Sequence, residues 1–315
     1  MNSPPAGARS VVVPFIVFTL VWGSTWIVIR DQLGSGDAAV PAQWSVAYRF
    51  ILAAAAMFAV AKWNGDRLAP DKRLLIAAAV IGISQFTINF NAVYMAEHFI
   101  TSGLVATVFG LLMLPNALLA WWMLGHRPTG RFLGASAIAA AGIALLFVHE
   151  LRSNPVLDGG KLAIGIGWTI VGLLGASLSN VYQARERVQK LPLFAMLAWA
   201  MLIGAALDVV IAFALAGPPV IETRPGYWLG LAWLALAASV LCFSLYYPVV
   251  RRIGPGKAAY SSAIVPIIAM ALSTAFEGFR WTALAAAGAM LAIGGMVLAL
   301  WTRQRPLDVP NPDAG

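Results

Sequence analysis

The sequence predicts an all-α integral membrane protein: ten transmembrane helices arranged as two inverted five-helix repeats. Three observations carry that expectation. The 315 residues are 60% hydrophobic and 11% charged, with a mean hydropathy of +0.80, too apolar for a soluble globular chain. Ten apolar runs follow one another with short polar connections, most of them near the ~20 residues that one membrane-crossing helix needs. The two halves of the chain also match each other at a nearly constant offset.

Span 1 (11–30) is apolar from Val11 to Leu20 except for Thr19, then changes character in "VWGSTWIVIR", Val21 to Arg30. The preceding "MNSPPAGARS" could mimic a secretory leader. No Ala-x-Ala-like cleavage site follows it, so residues 1–10 read as a cytoplasmic segment ahead of the first span. Span 2 (41–61) opens after "DQLGSGDAAVP", and spans 3 (74–95), 4 (100–124) and 5 (130–148) complete the first half. Beyond "HELRSNPVLDG" come spans 6 (161–183), 7 (193–216), 8 (227–250), 9 (257–276) and 10 (281–301). The tail, 302–315, is rich in proline and charge and is expected to be disordered. The repeats thus occupy 11–150 and 161–301.

A net charge of +8 could suggest nucleic acid, but the basic residues fall in small groups between apolar runs, and none can track a phosphate backbone. Their distribution reports orientation instead. With ten spans both termini share a side, and the connections on that side hold fifteen Lys and Arg against five opposite, Arg49 within span 2 completing the 21. The positive-inside rule then places both termini in the cytoplasm of a multi-pass protein of the plasma or inner membrane.

Prolines anchor the repeat. "VPAQW" at Val40 matches "LPLFA" at Leu191, and Pro115 matches Pro266, both at an offset of 151 residues. "WGSTWIVIR" aligns with "LGASLSNVY" at 152, and "TSGLVA" with "GPGKAA" at 153. Five spans per half means that the second half enters the membrane from the opposite side. That plan recurs in secondary transporters, with the substrate near the midplane between the halves.

At this point the chain resembles the EamA-type branch of the drug/metabolite transporter superfamily. The resemblance rests on "VWGSTWIVIR", "YRFILAAA", "TSGLVATVFGLLMLP", "LGHRPTGRFLGASAIAAAGIALLF", "IGPGKAAYSSAIVPIIAM" and "FEGFRWTALAAAGAMLAIGGMVL", in order across residues 11–301. It implies metabolite export or uptake without ATP hydrolysis, and a central cavity lined mainly by spans 1, 3, 4, 6, 8 and 9. One position departs: the family pattern usually has glutamate after the glycine ending span 4, where this chain has His126, while the second half keeps Glu277.

Polar groups inside a membrane should face protein or water rather than lipid. Trp22, Thr25 and Trp26 share one helical face, with Ser24 beside them, and read as a cavity wall of indoles and hydroxyls. Gly23 allows a neighbouring helix to approach closely. Gln85 and Asn89, four apart in span 3, offer amides that can both donate and accept. Ser177 and Asn180 in span 6 occupy the position that the repeat equates with Thr25, and Tyr246 adds a phenol from span 8. Together these nine residues are the candidate substrate-binding set. Arg49 and Asp208 lie at matching depths in spans 2 and 7, so they could form a charge pair, or Asp208 could couple proton uptake to transport.

Other features exclude chemistry. Cys242 stands alone, which excludes an intrachain disulfide, and reads as a packing residue. His98, His126 and His149 sit at span ends without metal-ligand spacing, and no GxxxxGK[ST] loop is present. No cofactor, metal or catalytic residue is therefore expected. The glycine-rich runs at 134–142 and 288–295 read as helix-packing faces that could equally serve a homodimer. The expected function is a secondary transporter of small amphipathic metabolites, amino-acid-like or drug-like. Nucleotide sugars or other phosphorylated metabolites are the alternative, and an intramembrane enzyme or scaffold lies further off.

Overall fold

The computed structural model describes residues 6–33, 40–125, 127–153, 159–249 and 261–302. Among these, nine helices are long and apolar enough to cross a membrane, and a tenth is shorter. The first half consists of α1 (Ala6–Leu33), α2 (Ala42–Trp63), α3 (Lys72–Glu97), α4 (Ser102–Leu124) and α5 (Gly130–Ser153). The second half consists of α6 (Gly159–Gln183), α7 (Leu193–Ala216), α8 (Pro225–Val249), α9 (Ser261–Phe276) and α10 (Ala283–Thr302). The first residues expected for span 9, the tail from 303 onward and His126 lie outside the described residues.

Local chemistry sets several boundaries. Asp71 accepts a hydrogen bond from the backbone of Leu74 at 2.8 Å, so α3 starts two residues earlier than its apolar run does. Asp66 likewise accepts from the backbone of Ala195 at 3.0 Å, tying the loop before α3 to the first turn of α7. Helix α4 stops at Gly125, whose φ of 78° is a left-handed conformation suited to glycine.

In each half the fifth helix packs on its counterpart, α5 against α10, and the second likewise, α2 against α7. The remaining six helices sit between these two pairs, with α9 against α1 and α4, and α6 against α3. Helices in lipid approach through small residues rather than through exclusion of water. A Cβ on Gly142 would fall on the backbone of Ala292, and one on Gly295 on the backbone of Ala139. The glycine-rich faces therefore meet each other inside the chain. In the same way Ile268 of α9 lies so close to Gly23 that a Cβ there would come within 2.7 Å.

The outer surface suits a bilayer. Large apolar side chains face outward along most helices, and Trp63, Trp122 and Trp301, at 93%, 80% and 72% exposure, end α2, α4 and α10 on the same side of the bundle. Indoles at such a level match the headgroup region of a membrane.

One local feature is not visible in the apolar pattern. Two helices change to wide, i→i+5 turns: α3 over Gly82–Asn89 and α8 over Trp233–Leu241. The segments occupy equivalent places in the two halves, their starts separated by the repeat offset of 151 residues.

Candidate functional site

A cavity of about 170 Å³ opens between the two halves. That is space for on the order of ten waters, the bulk of a small metabolite. Its wall draws on α1, α3, α4, α6, α8 and α9, with one residue, Arg49, from α2.

From α1, Trp22, Thr25 and Trp26 line it, as their i, i+3, i+4 spacing requires. Trp22 donates its indole N–H to the carbonyl of Ala238 at 3.0 Å, inside the wide-turn segment of α8. Its ring stands edge-on to Tyr246 at 5.0 Å between centroids, which fixes both rings as apolar wall. Thr25 donates to the Trp22 carbonyl at 2.7 Å. Trp26 packs on Phe109, and its buried indole N–H has no protein partner.

From α3, Gln85 and Asn89 line the cavity within the wide-turn segment, and the side-chain oxygen of Asn89 is buried without a protein partner. Asn180 of α6 and Tyr246 of α8 complete the set that the structure brings together. Two candidates stand apart. Ser24 donates to the Val21 carbonyl at 2.7 Å and accepts from the indole of Trp233 at 3.2 Å, outside the wall. Ser177 is fully buried between helices and is not part of the lining.

Arg49 and Asp208 do not pair. Among the described residues the ion pairs within 4 Å leave both out. Helices α2 and α7 pack together, yet Asp208 accepts from Asn91 of α3 at 2.8 Å and lies off the cavity wall. Arg49 points the other way, into the cavity lining. Its Nε donates to Ser239 Oγ at 3.2 Å, and its guanidinium carbon sits 4.3 Å from the centroid of Phe90. Ser239 in turn donates to the Leu234 carbonyl at 2.9 Å, so the wide turns of α8 also position the partner of Arg49.

Sequence patterning missed two residues here, Asn116 and Glu97, and gave a third, Arg49, the wrong partner. Asn116, the lone amide beside Pro115 in an otherwise apolar run, lines the cavity with its side-chain oxygen buried and unpartnered. Arg49 belongs to the wall rather than to a pair. Glu97 becomes part of α3 because that helix runs two residues past its apolar pattern.

Beyond Ile29, the cavity ends at a polar cluster joining the two halves. Glu277, just past α9, accepts from the Ser102 hydroxyl at 2.8 Å and its backbone N–H at 3.3 Å, both from the start of α4. Arg30 of α1 stands 3.6 Å from the same carboxylate and donates to the backbone carbonyl of Glu97. The Glu97 carboxylate is fully buried, with Glu277 and Arg30 as charged neighbours and no protein hydrogen-bond partner for either oxygen.

An aromatic-walled cavity between two five-helix halves, closed at one end by contacts between those halves, has the shape of a solute pathway rather than a catalytic centre. Comparison with known proteins agrees. The EamA-like transporter family matches residues 10–148 and again 163–301. The Uncharacterized inner membrane transporter YedA of Escherichia coli (strain K12) is 28% identical over 275 residues, covering 84% of each chain. The Uncharacterized transporter YyaM of Bacillus subtilis (strain 168) is 25% identical, covering 92% of this chain and 93% of its own. A Probable amino-acid metabolite efflux pump of Escherichia coli (strain K12) is 23% identical, covering 90% and 92%. A solved structure titled "Crystal structure of protein" superposes with a TM-score of 0.66 at 19% identity, over 94% of this chain and 98% of its own, and shares the fold. With both halves matched, the chain belongs to the EamA-like transporter family and is a membrane transporter, not an enzyme.

Proposed function

We propose that this transporter exports small amphipathic metabolites, amino-acid-like or drug-like, by alternating access between its two inverted halves. The observation that carries the reading is the inter-half cavity itself, with wall residues from both repeats and its far end latched by Arg30, Ser102 and Glu277. The bias of Lys and Arg, fifteen against five, puts both termini in the cytoplasm and the latch on the opposite side. The name of the relative YedA, an inner membrane transporter, favours the inner membrane, and that of the efflux pump favours export of amino-acid metabolites. Phosphorylated metabolites fit less well. They call for several cationic donors, and among the described lining residues Arg49 is the sole cation.

Counterflow in proteoliposomes tests this reading, with amino acids, sugars, nucleotide sugars and cationic dyes as the panel. Saturable exchange of one class, abolished by Trp22→Ala in correctly folded protein, is the expected result. The absence of exchange across the whole panel, in an oriented and folded preparation, would refute it.

A further inference from the structure

Arg49 is the one charged member of the cavity wall among the described residues, and its chemistry is incomplete without a ligand. It is 1% exposed, and its terminal Nη1 has no protein partner. Arginine keeps its proton at any working pH, so it cannot escape burial by neutralising itself, as a lysine could. A buried cation left without a counter-charge is costly, and such residues in membrane spans mark solute pathways. No carboxylate reaches Arg49: Asp208 accepts from Asn91, Glu277 accepts from Ser102 beside Arg30, and the buried Glu97 has Glu277 and Arg30 as its charged neighbours. The Tyr94 hydroxyl at the guanidinium is neutral and itself donates to Gln32. Among the described residues that line the cavity there is no carboxylate at all.

We propose that Arg49 is the anchor for a carboxylate on the transported molecule, which makes the substrate class small carboxylic acids bearing a hydrogen-bond donor near the carboxylate, such as amino or hydroxy acids. This rests on the transporter reading above and specifies the chemistry of its cavity. Arg49 is held for the task. Ser239 fixes Nε, Phe90 lies against the guanidinium face, and Nη1 remains as a donor for a carboxylate oxygen. The second requirement follows from Asn89, next to Phe90, and from Asn116. Both present buried side-chain oxygens without protein partners, and a ligand's N–H or O–H would satisfy them. Their amide dipoles can accept from an ammonium group, but without an acidic residue they give a compound whose only charge is positive no counter-ion. The cavity has room for a small metabolite such as leucine.

The test compares L-leucine with two analogues of the same skeleton, L-leucinamide and isopentylamine, alongside the general counterflow panel. Binding is read from the fluorescence of the wild-type protein, whose cavity holds Trp22 and Trp26, and transport from counterflow in proteoliposomes. We expect L-leucine to bind at least tenfold more tightly than either analogue. Arg49→Gln should remove most of that difference, and Arg49→Lys should retain part of it. The wild-type series stands on its own if Arg49→Gln does not fold. Equal or tighter binding of the amide or amine, or an Arg49→Gln protein that keeps the carboxylate preference, would overturn the inference while leaving a transporter. Exchange of neutral or cationic panel members without carboxylates would do the same. Failure of every compound to bind and exchange would overturn both readings together.

Discussion

Removing the Glu277 carboxylate should unlatch the end of the bundle where α1, α4 and α9 meet. The Ser102 hydroxyl and backbone N–H both donate to it, at 2.8 and 3.3 Å, and these bonds join α4 of the first half to α9 of the second. A hydrogen bond to an ionised acceptor contributes about 1.5–3 kcal/mol net. The 3.3 Å bond is long, and Arg30 is 41% exposed, so the ion pair adds only a few tenths of a kcal/mol after screening. The latch then favours the closed arrangement by about 3 kcal/mol, or roughly a hundredfold. Ile29, 2% exposed and on the cavity wall just inside the latch, is a suitable reporter. With Cys242→Ala to remove the native thiol, Ile29→Cys should react slowly with a membrane-impermeant maleimide added from the latch side. Glu277→Ala should raise that rate by one to two orders of magnitude in sealed vesicles. An unchanged rate, with equal labelling after denaturation, would refute the assignment of Glu277 as the latch.

Gly142→Val should prevent α5 from seating on α10, because a side chain there meets the backbone of Ala292, whereas Gly134→Ala, which faces open space, should be neutral. The expected loss is about 1–3 kcal/mol or more for overpacking, read as a lower melting temperature of the detergent-solubilised protein. Asp208→Asn should preserve the shape of the transport pH profile, since Asp208 stands off the cavity wall in a bond to Asn91. A profile flattened by the substitution would instead assign proton coupling to it. Glu222, between α7 and α8, has its carboxyl held below the usual carboxylate range, first by the backbone N–H of Arg224 and then by that of Thr223 and the Arg224 side chain. A depressed pKa stabilises the fold above the ordinary carboxylate value and is lost as pH falls through the lowered one. Glu222→Gln should therefore lower the melting temperature at neutral pH, where the contribution is fully present, and make it fall less steeply below about pH 5.

Apolar run length was enough to place α7 at Leu193–Ala216 to the residue, because Pro192 and Gly217 bound it sharply. Helical spacing alone put Trp22, Thr25 and Trp26 on one wall, and the same rule applied strictly would have left Ser24 out. The equal depth of Arg49 and Asp208 was also legible, but depth does not fix rotation about a helix axis. Asp208 turns toward α3 and Arg49 toward the cavity, so a pair that depth permits does not form. The wide turns left no trace in the pattern, since no proline marks either segment and both run into regular helix at each end. Asn116 and Glu97 were hidden for a simpler reason: a single polar residue in or beside an apolar run carries no period.

The paired wide turns of α3 and α8 bear on which parts of the protein change during a cycle. In an inverted-repeat transporter, one half in one state is shaped like the other half in the opposite state. A feature present in both halves at once is therefore invariant under that exchange, and the segments at 82–89 and 233–241 are such a feature. In an alternating-access cycle they would serve as fixed axles. The asymmetry lies in α4, which tightens to a 3₁₀ turn at Gly110–Leu112, while its counterpart α9 is regular α-helix from Ser261. On the alternating-access reading, the cycle would pass that tightened turn from α4 to α9, with α3 and α8 unchanged between them.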